Sequence, residues 1–307
     1  MKKVFLNLFV FVLSLCFIFS ASAASPKKDP NSIEQKIGER EEPAYQAFLR
    51  ETTVILNPRQ QSVDCSFGYN RNEINNVIVS TINREFSLIT SYHLGLLCNI
   101  EAYLSIPLLW RKNTTQRQIE QTEDKNSNAG IGDISFGSKF ILFQQKGSIP
   151  DIVGAVEVGL PTGRHPYSEN PDDIGLGSGH WSGTFGLTAI KSCDPAVIYG
   201  GLNYTHIFKK DYNGQEIRPG EIIGYNFGTA FLINDQLTLG TQIIGSYQTE
   251  AKIDSEKVLF SSAEPIVIRN SLTYALSKNV SIEPSIIFGL NDDAPDVSFS
   301  FSYSRRF

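Results

Sequence analysis

Val297-Ser298-Phe299-Ser300-Phe301-Ser302-Tyr303-Ser304-Arg305-Arg306-Phe307 closes the chain. Val297, Phe299, Phe301, Tyr303 and Phe307 share one parity, and Ser298, Ser300, Ser302 and Ser304 share the other. Side chains alternate between the two faces of a β-strand, so this run has an aromatic face and a face of small hydroxyls. A sandwich strand can carry the same alternation. An aromatic face on a strand that ends on Phe307 fits a membrane-facing barrel strand better.

The alternation recurs upstream. Residues 62–69 place Val63, Cys65, Phe67 and Tyr69 together, and residues 85–93 do the same with Phe86, Leu88 and Tyr92. Residues 98–107 set Ile100, Leu104 and Ile106 outward against Glu101 and Ser105, and residues 131–143 set Ile134, Phe136, Phe140 and Leu142 against Asp133, Ser135 and Lys139. Residues 152–160 oppose Val156, Val158 and Leu160 to Glu157. The runs at 181–190, 196–208, 222–231 and 237–248 repeat the pattern. Near the end, 265–274 carry Arg269 and 280–290 carry Glu283 on their polar faces. With the terminal run, this predicts about twelve strands.

Connection lengths choose between a sandwich and a barrel. The links after even-numbered strands are short: 93–96, 145–150, 192–195, 234–236 and 277–279. Most links after odd-numbered strands are long: 111–130, 161–180, 209–220 and 251–263. Short periplasmic turns alternating with long external loops are the habit of outer-membrane barrels. The expected fold is therefore all-β, a transmembrane antiparallel up-and-down β-barrel with a short N-terminal extension.

The N-terminus predicts the compartment. Lys2 and Lys3 precede an apolar run over 4–19, and Ala21-Ser22-Ala23 forms a small-residue cleavage site, so residues 1–23 read as a signal peptide. Cys16 lies inside the apolar run, which excludes a lipoprotein reading. Residues 24–50 carry mixed charge and three prolines. They read as a periplasmic extension with a short helix over 32–42; a plug in the barrel lumen is the other reading. Residues 51–307 form the barrel. Cleavage removes two lysines and leaves a chain more acidic than the full-length −5, which argues against nucleic acid as a partner. Mean hydropathy is −0.13, as expected where half of each strand faces water. Cys65, Cys98 and Cys193, an odd number, read as unpaired apolar fillers.

Several phrases carry a resemblance. They are residues 130–140 (Gly-Ile-Gly-Asp-Ile-Ser-Phe-Gly-Ser-Lys-Phe), 159–163 (Gly-Leu-Pro-Thr-Gly), 175–181 (Gly-Leu-Gly-Ser-Gly-His-Trp) and 289–296 (Gly-Leu-Asn-Asp-Asp-Ala-Pro-Asp). As a set, over most of residues 48–307, the chain resembles a family of bacterial outer-membrane barrels linked with the meta-pathway of phenol degradation. The resemblance implies an outer-membrane location and a transporter-like role. The terminal series Phe301, Tyr303 and Phe307 also resembles the signal read by the outer-membrane assembly machinery.

The inward charges are the candidate site. Glu101, Asp133, Lys139, Glu157, Arg269 and Glu283 read either as a pore lining that sets selectivity or as a salt-bridge network filling a narrow barrel. Lys139 is expected to pair with Glu101 or Glu157 on its flanking strands. The glycine-rich stretch 175–179 lacks the helix and lysine of a phosphate loop and reads as an external loop. Asp172, Asp173, Asp292, Asp293 and Asp296 sit in external loops, where they read as solvated or as cation holders among lipopolysaccharide phosphates. Among the histidines, His93 falls at a turn, His165 and His180 in a loop, and only His206 on a strand wall, so no Ser-His pair is singled out. The expected function is passive passage of small solutes, aromatic or hydrophobic compounds included. A non-conducting structural or adhesive barrel and an outer-membrane lipid hydrolase are the alternatives. No enzyme activity, cofactor or metal is expected. The expected partners are outer-membrane lipid and lipopolysaccharide, the assembly machinery and a small-molecule solute.

Overall fold

The computed structural model describes residues 55–75, 79–117, 122–146, 148–167 and 174–307. The signal peptide, the 24–50 extension with its helix, and Asp172 and Asp173 lie outside the described residues. Seventeen strands follow one another: β1 (Gln61–Asn75), β2 (Val79–Leu97), β3 (Ile100–Arg117), β4 (Thr122–Ile131), β5 (Ile134–Phe143), β6 (Asp151–Leu160), β7 (Ser182–Cys193), β8 (Ala196–Ile207), β9 (Lys210–Tyr212), β10 (Gln215–Arg218), β11 (Ile222–Asn234), β12 (Leu237–Gln248), β13 (Lys252–Ile253), β14 (Glu256–Lys257), β15 (Ile266–Ser277), β16 (Val280–Gly289) and β17 (Val297–Arg306).

Thirteen of these form one sheet, which closes on itself because β2 pairs with both β1 and β3. The seam between first and last strands is β1 with β17, in register from Ser62↔Arg306 to Arg71↔Val297. Strand β4 pairs only with the outer part of β3 and runs into β5 through Gly132-Asp133, so it extends one stave of a twelve-stave antiparallel barrel. The predicted architecture is the observed one.

Alternation sorts the side chains as the fold demands. Phe227 is 63% exposed, Leu202 66% and Phe136 47%, all on the outer wall. In water such a continuous apolar surface would be strongly unfavourable, at roughly 25 cal/mol per Å². In a bilayer it is the required surface, and closure of the twelve staves leaves them no unpaired edge facing lipid. The chain is thus an outer-membrane-type barrel. The hydroxyls face inward and pair across strands: Ser66 with Ser302 at 3.0 Å, Ser285 with Ser300 at 2.6 Å, and Ser91 with Ser105 at 2.6 Å. The serine face of the terminal strand therefore lines the lumen.

Three expectations need correction. The predicted loop 111–130 is largely a β-hairpin, because β3 pairs with β4 up to Arg117↔Thr122. It rises beyond the apolar band, so neither of its faces needs to be greasy. The predicted loops 209–220 and 251–263 contribute β9, β10, β13 and β14 to a separate four-stranded sheet. The predicted turn at 93–96 is strand, since β2 runs on to Leu97. Cys98, in the turn between β2 and β3, and Cys193, at the end of β7, are also exposed; among the described cysteines only Cys65 sits in a wall, half-buried.

Candidate functional site

Register builds the site. One inward row runs His93↔Tyr103↔Gly137↔Glu157 across β2, β3, β5 and β6. Gly137 has no Cβ, so the Tyr103 ring can cross the β5 backbone. Its hydroxyl donates to Glu157 Oε2 at 2.8 Å. One row toward the periplasmic end, Glu101 lies directly opposite Lys139. Both are buried, at 2% and 7% exposure, and the Lys139 ammonium also stands 5.6 Å from the centre of the Tyr103 ring. Lys139 is therefore in register with Glu101 and not with Glu157, whose opposite residue on β5 is Gly137.

His93 completes this cluster. Its Nδ1 lies 2.7 Å from Glu101 Oε1 and its Nε2 lies 3.1 Å from Asp64 Oδ2. On the opposing wall, Arg269 Nη2 donates to Glu283 Oε1 at 2.6 Å, and Thr273 Oγ1 donates to Glu283 Oε2 at 2.5 Å. Between these groups is a cavity of about 350 Å³ lined by Asp64, Ser91, His93, Lys139, Glu157 and Glu283, among others. The opposite sector of the barrel, across β6, β7, β8 and β11, is instead filled by Val153, Ile190, Val197, Tyr199 and Ala230.

The chain just before β1 enters the periplasmic mouth. Ile55 packs on that apolar cluster, and Leu56 is 2% exposed. The Leu56 amide donates to Glu101 Oε2 at 2.9 Å. Gly95 N donates to Gln60 O at 2.9 Å, and Arg59 N donates to Gly95 O at 2.8 Å. A Cβ at Gly95 would collide with the carbonyls of Asn57 and Leu56, so only glycine lets this strap lie so close to β2.

The external mouth is narrowed by the described parts of the link between β6 and β7, residues 161–167 and 174–181. Arg111 Nη1 donates to Gly175 O at 2.7 Å, and Asn128 Nδ2 donates to Ile174 O at 2.7 Å. Leu176 is buried against Gly130 and Gly132. Asp133, expected beside Lys139 in the lumen, is instead committed to this loop. Its Oδ1 accepts from Gly163 N at 2.9 Å, and its Oδ2 accepts from Ser178 N at 2.6 Å and Ser178 Oγ at 2.7 Å. Six residues of strand, roughly 20 Å, separate it from Lys139. Beside it His165, Tyr167, His180 and Tyr212 pack ring to ring. Burial holds the His180 imidazole below its ordinary value. Nδ1 lies 2.9 Å from Phe208 O, and Nε2 has no partner among the described residues.

Of the remaining sequence candidates, Phe301 is exposed on the outer wall, Tyr303 is half-buried, and Phe307 pairs its main chain with Gln61 at 2.9 Å. Arg305 stacks on the Phe307 ring at 5.1 Å. In the external loops, Asp293 accepts a bond from Glu264 N. His206 lies 3.3 Å from Glu221. The structure adds Asp64, His93, Tyr103 and the Ile55–Leu56 strap, which sequence reading missed. The parity of His93 with Ser91 on β2 was the available signal.

Residues 98–307 match the family described as "Putative MetA-pathway of phenol degradation". The chain belongs to this family. The matched region spans every stave from β3 onward and contains Glu101, Lys139, Glu157, Arg269 and Glu283, whereas Leu56, Asp64 and His93 precede it. The barrel is also similar to the crystal structure of an outer-membrane channel from Pseudomonas putida F1. That likeness has 12% identity and a TM-score of 0.65, covering 82% of this chain and 97% of that one. The translocator domain of the autotransporter NalP from Neisseria meningitidis is similar at 11% identity and a TM-score of 0.51, covering 82% of this chain and 90% of that domain. These likenesses concern fold. With the outer apolar band, they define a β-barrel of the bacterial outer membrane.

Proposed function

We propose that the chain is a passive outer-membrane channel for small solutes, with its lumen narrowed at both mouths by its own segments. The observation that carries this reading is the chamber of about 350 Å³ into which Asp64, Lys139, Glu157, Glu283 and inward serines open. A merely structural barrel would gain by filling that space with apolar side chains, as the sector around Val197 and Tyr199 does. Ser91, Ser105, Lys139 and Glu157 give a passing solute hydrogen bonds and charge, while Ile89 and the Tyr103 ring accept an apolar edge. Aromatic solutes of modest size are therefore compatible with it, and the phenol link of the family is the reason to test them.

The reading is non-enzymatic. Both ring nitrogens of His93 face carboxylates, which leaves neither to activate a serine. Residues 1–23 would direct export, residues 24–50 would remain on the periplasmic side, and Phe301, Tyr303 and Phe307 would present the terminal strand to the assembly machinery.

The second reading, a non-conducting barrel, draws on the same two segments, since Leu56 lies in one mouth and residues 161–167 and 174–178 in the other. Liposome swelling with neutral solutes of graded size separates the readings. A channel gives swelling rates that fall with solute size, whereas a structural barrel leaves liposomes no leakier than empty ones.

A further inference from the structure

We propose that the outward face of β1, β2 and β3, just above the apolar band, is a binding site for a phosphorylated glycolipid headgroup of the outer leaflet, with Arg71, Arg84 and Lys112 as its ligands. The ladder sets these three cations side by side, Arg71↔Arg84↔Lys112. Adjacent strands are about 4.8 Å apart, so the row spans roughly 10 Å of wall. Their parity is that of Phe67, Phe86 and Trp110, the lipid-facing one.

The rows beneath identify the depth. Directly below the cations lie Tyr69↔Phe86↔Trp110, with ring centres 4.8 and 5.3 Å apart. Below these lie Phe67↔Leu88↔Leu108. An aromatic row over an aliphatic one marks the boundary between headgroups and acyl chains. The described segment leading into β1, the C-terminus and the short turns lie at the other end of the barrel, so this boundary is the external one.

Like charges directly opposed on neighbouring strands destabilise a sheet. Arg71 is partly neutralised by Glu73, whose Oε2 lies 2.7 Å from Nη2. Arg84 and Lys112 make no ion pair within the described residues. Their neighbours Glu85 and Arg111 point to the other face and pair with each other at 2.5 Å. Lys125, opposite Thr114 and one row above Lys112, adds a fourth cation to the same face. Positive charge at headgroup depth, with no carboxylate paired to Arg84 or Lys112 among the described residues, is the complement of phosphate. The apolar rows beneath it fit acyl chains attached to that phosphate, which selects an amphiphile over a free anion. This inference does not depend on whether the lumen conducts.

The test uses the full chain folded in detergent and three probes: purified lipopolysaccharide, the same lipid with its phosphates removed, and inorganic phosphate. Binding is measured by titration and by the shift in melting temperature. Lipopolysaccharide should bind and raise the melting temperature, and the dephosphorylated lipid should bind at least about ten-fold more weakly. Inorganic phosphate at equal phosphate concentration should do neither. Arg84→Glu with Lys112→Glu should weaken lipopolysaccharide binding by about ten-fold or more. Arg84→Lys with Lys112→Arg should retain it. Equal binding of the dephosphorylated lipid, competition by inorganic phosphate, or undiminished binding by the charge-reversed protein would overturn the proposal. Should the charge-reversed protein fail to fold, the Gln variants at both positions and the wild-type comparison of the two lipids decide the matter.

Discussion

The main-chain amide of Leu56 donates to the carboxylate of Glu101 at 2.9 Å, which ties a segment outside the barrel wall to a charge inside it. Glu101 is 2% exposed, and the same carboxylate lies against His93 and opposite Lys139. One acidic side chain thus balances the lumen charges and seats the strap across the periplasmic mouth. A buried carboxylate needs such partners, and the strap amide, buried beside Leu56, needs an acceptor.

The external mouth has its own fastening in Asp133. Asp133→Ala removes the acceptor for Gly163 N and for the amide and hydroxyl of Ser178. The docked loop should lose about 1–3 kcal/mol while the barrel stays folded. Limited proteolysis should show faster cleavage within residues 161–178, with unchanged heat-modifiable migration on a gel.

Acid should loosen the same loop. Burial lowers the His180 value below the ordinary 6.5, so between the two values the undocked loop binds a proton that the docked loop does not. Docking stability is then fully present above about pH 7.5 and falls as pH drops through about 6.5. Corrected for the base-catalysed intrinsic rate, protection against hydrogen exchange over residues 174–181 should fall between pH 7.5 and 5, and His180→Gln should flatten that dependence. Protection factors that stay constant or rise on acidification would refute the assignment.

Lys139→Glu places a second carboxylate in direct register with that of Glu101, close to Glu157 and Asp64. Loss of the lysine and the new repulsion should cost on the order of 3 kcal/mol, read as a lower urea midpoint. In a conducting barrel the reversal potential should also shift toward cations. A variant with unchanged midpoint and selectivity would mean that position 139 meets bulk water.

Deleting Phe307 removes the main-chain pairing to Gln61 and the ring under Arg305 at the seam. The folded fraction recovered in the outer membrane should fall. An unchanged folded yield would remove the terminal aromatic from the assembly account.

Much of this architecture was legible because lipid outside and polar groups inside impose a period of two on every stave. Phe299 and Phe301 against Ser300 and Ser302 is the plainest instance, and it puts the serines in the lumen. Where the lipid ends, the signal ends too. Residues 111–117 and 122–130 are strand, yet Asn113, Thr115, Asn126 and Asn128 carry no apolar parity, so the hairpin reads as loop. The strap is invisible for another reason. Ile55 and Leu56 precede Asn57-Pro58 with no period, and their burial depends on a carboxylate 45 residues away. Asp133 looked like a lumen charge because its sequence neighbourhood, Gly132-Asp133-Ile134-Ser135, continues the alternation into a loop contact that no local pattern encodes.

Single-channel recording of the folded wild type beside Gly95→Ala is the most direct test of the channel account. The new Cβ meets the carbonyls of Asn57 and Leu56 and must push the strap off β2, while every charged residue of the chamber is kept. Discrete conductance steps in the wild type, larger or more frequent in Gly95→Ala at equal folded yield, are the predicted result. Silent bilayers for both proteins, or identical conductance despite a displaced strap, would contradict it.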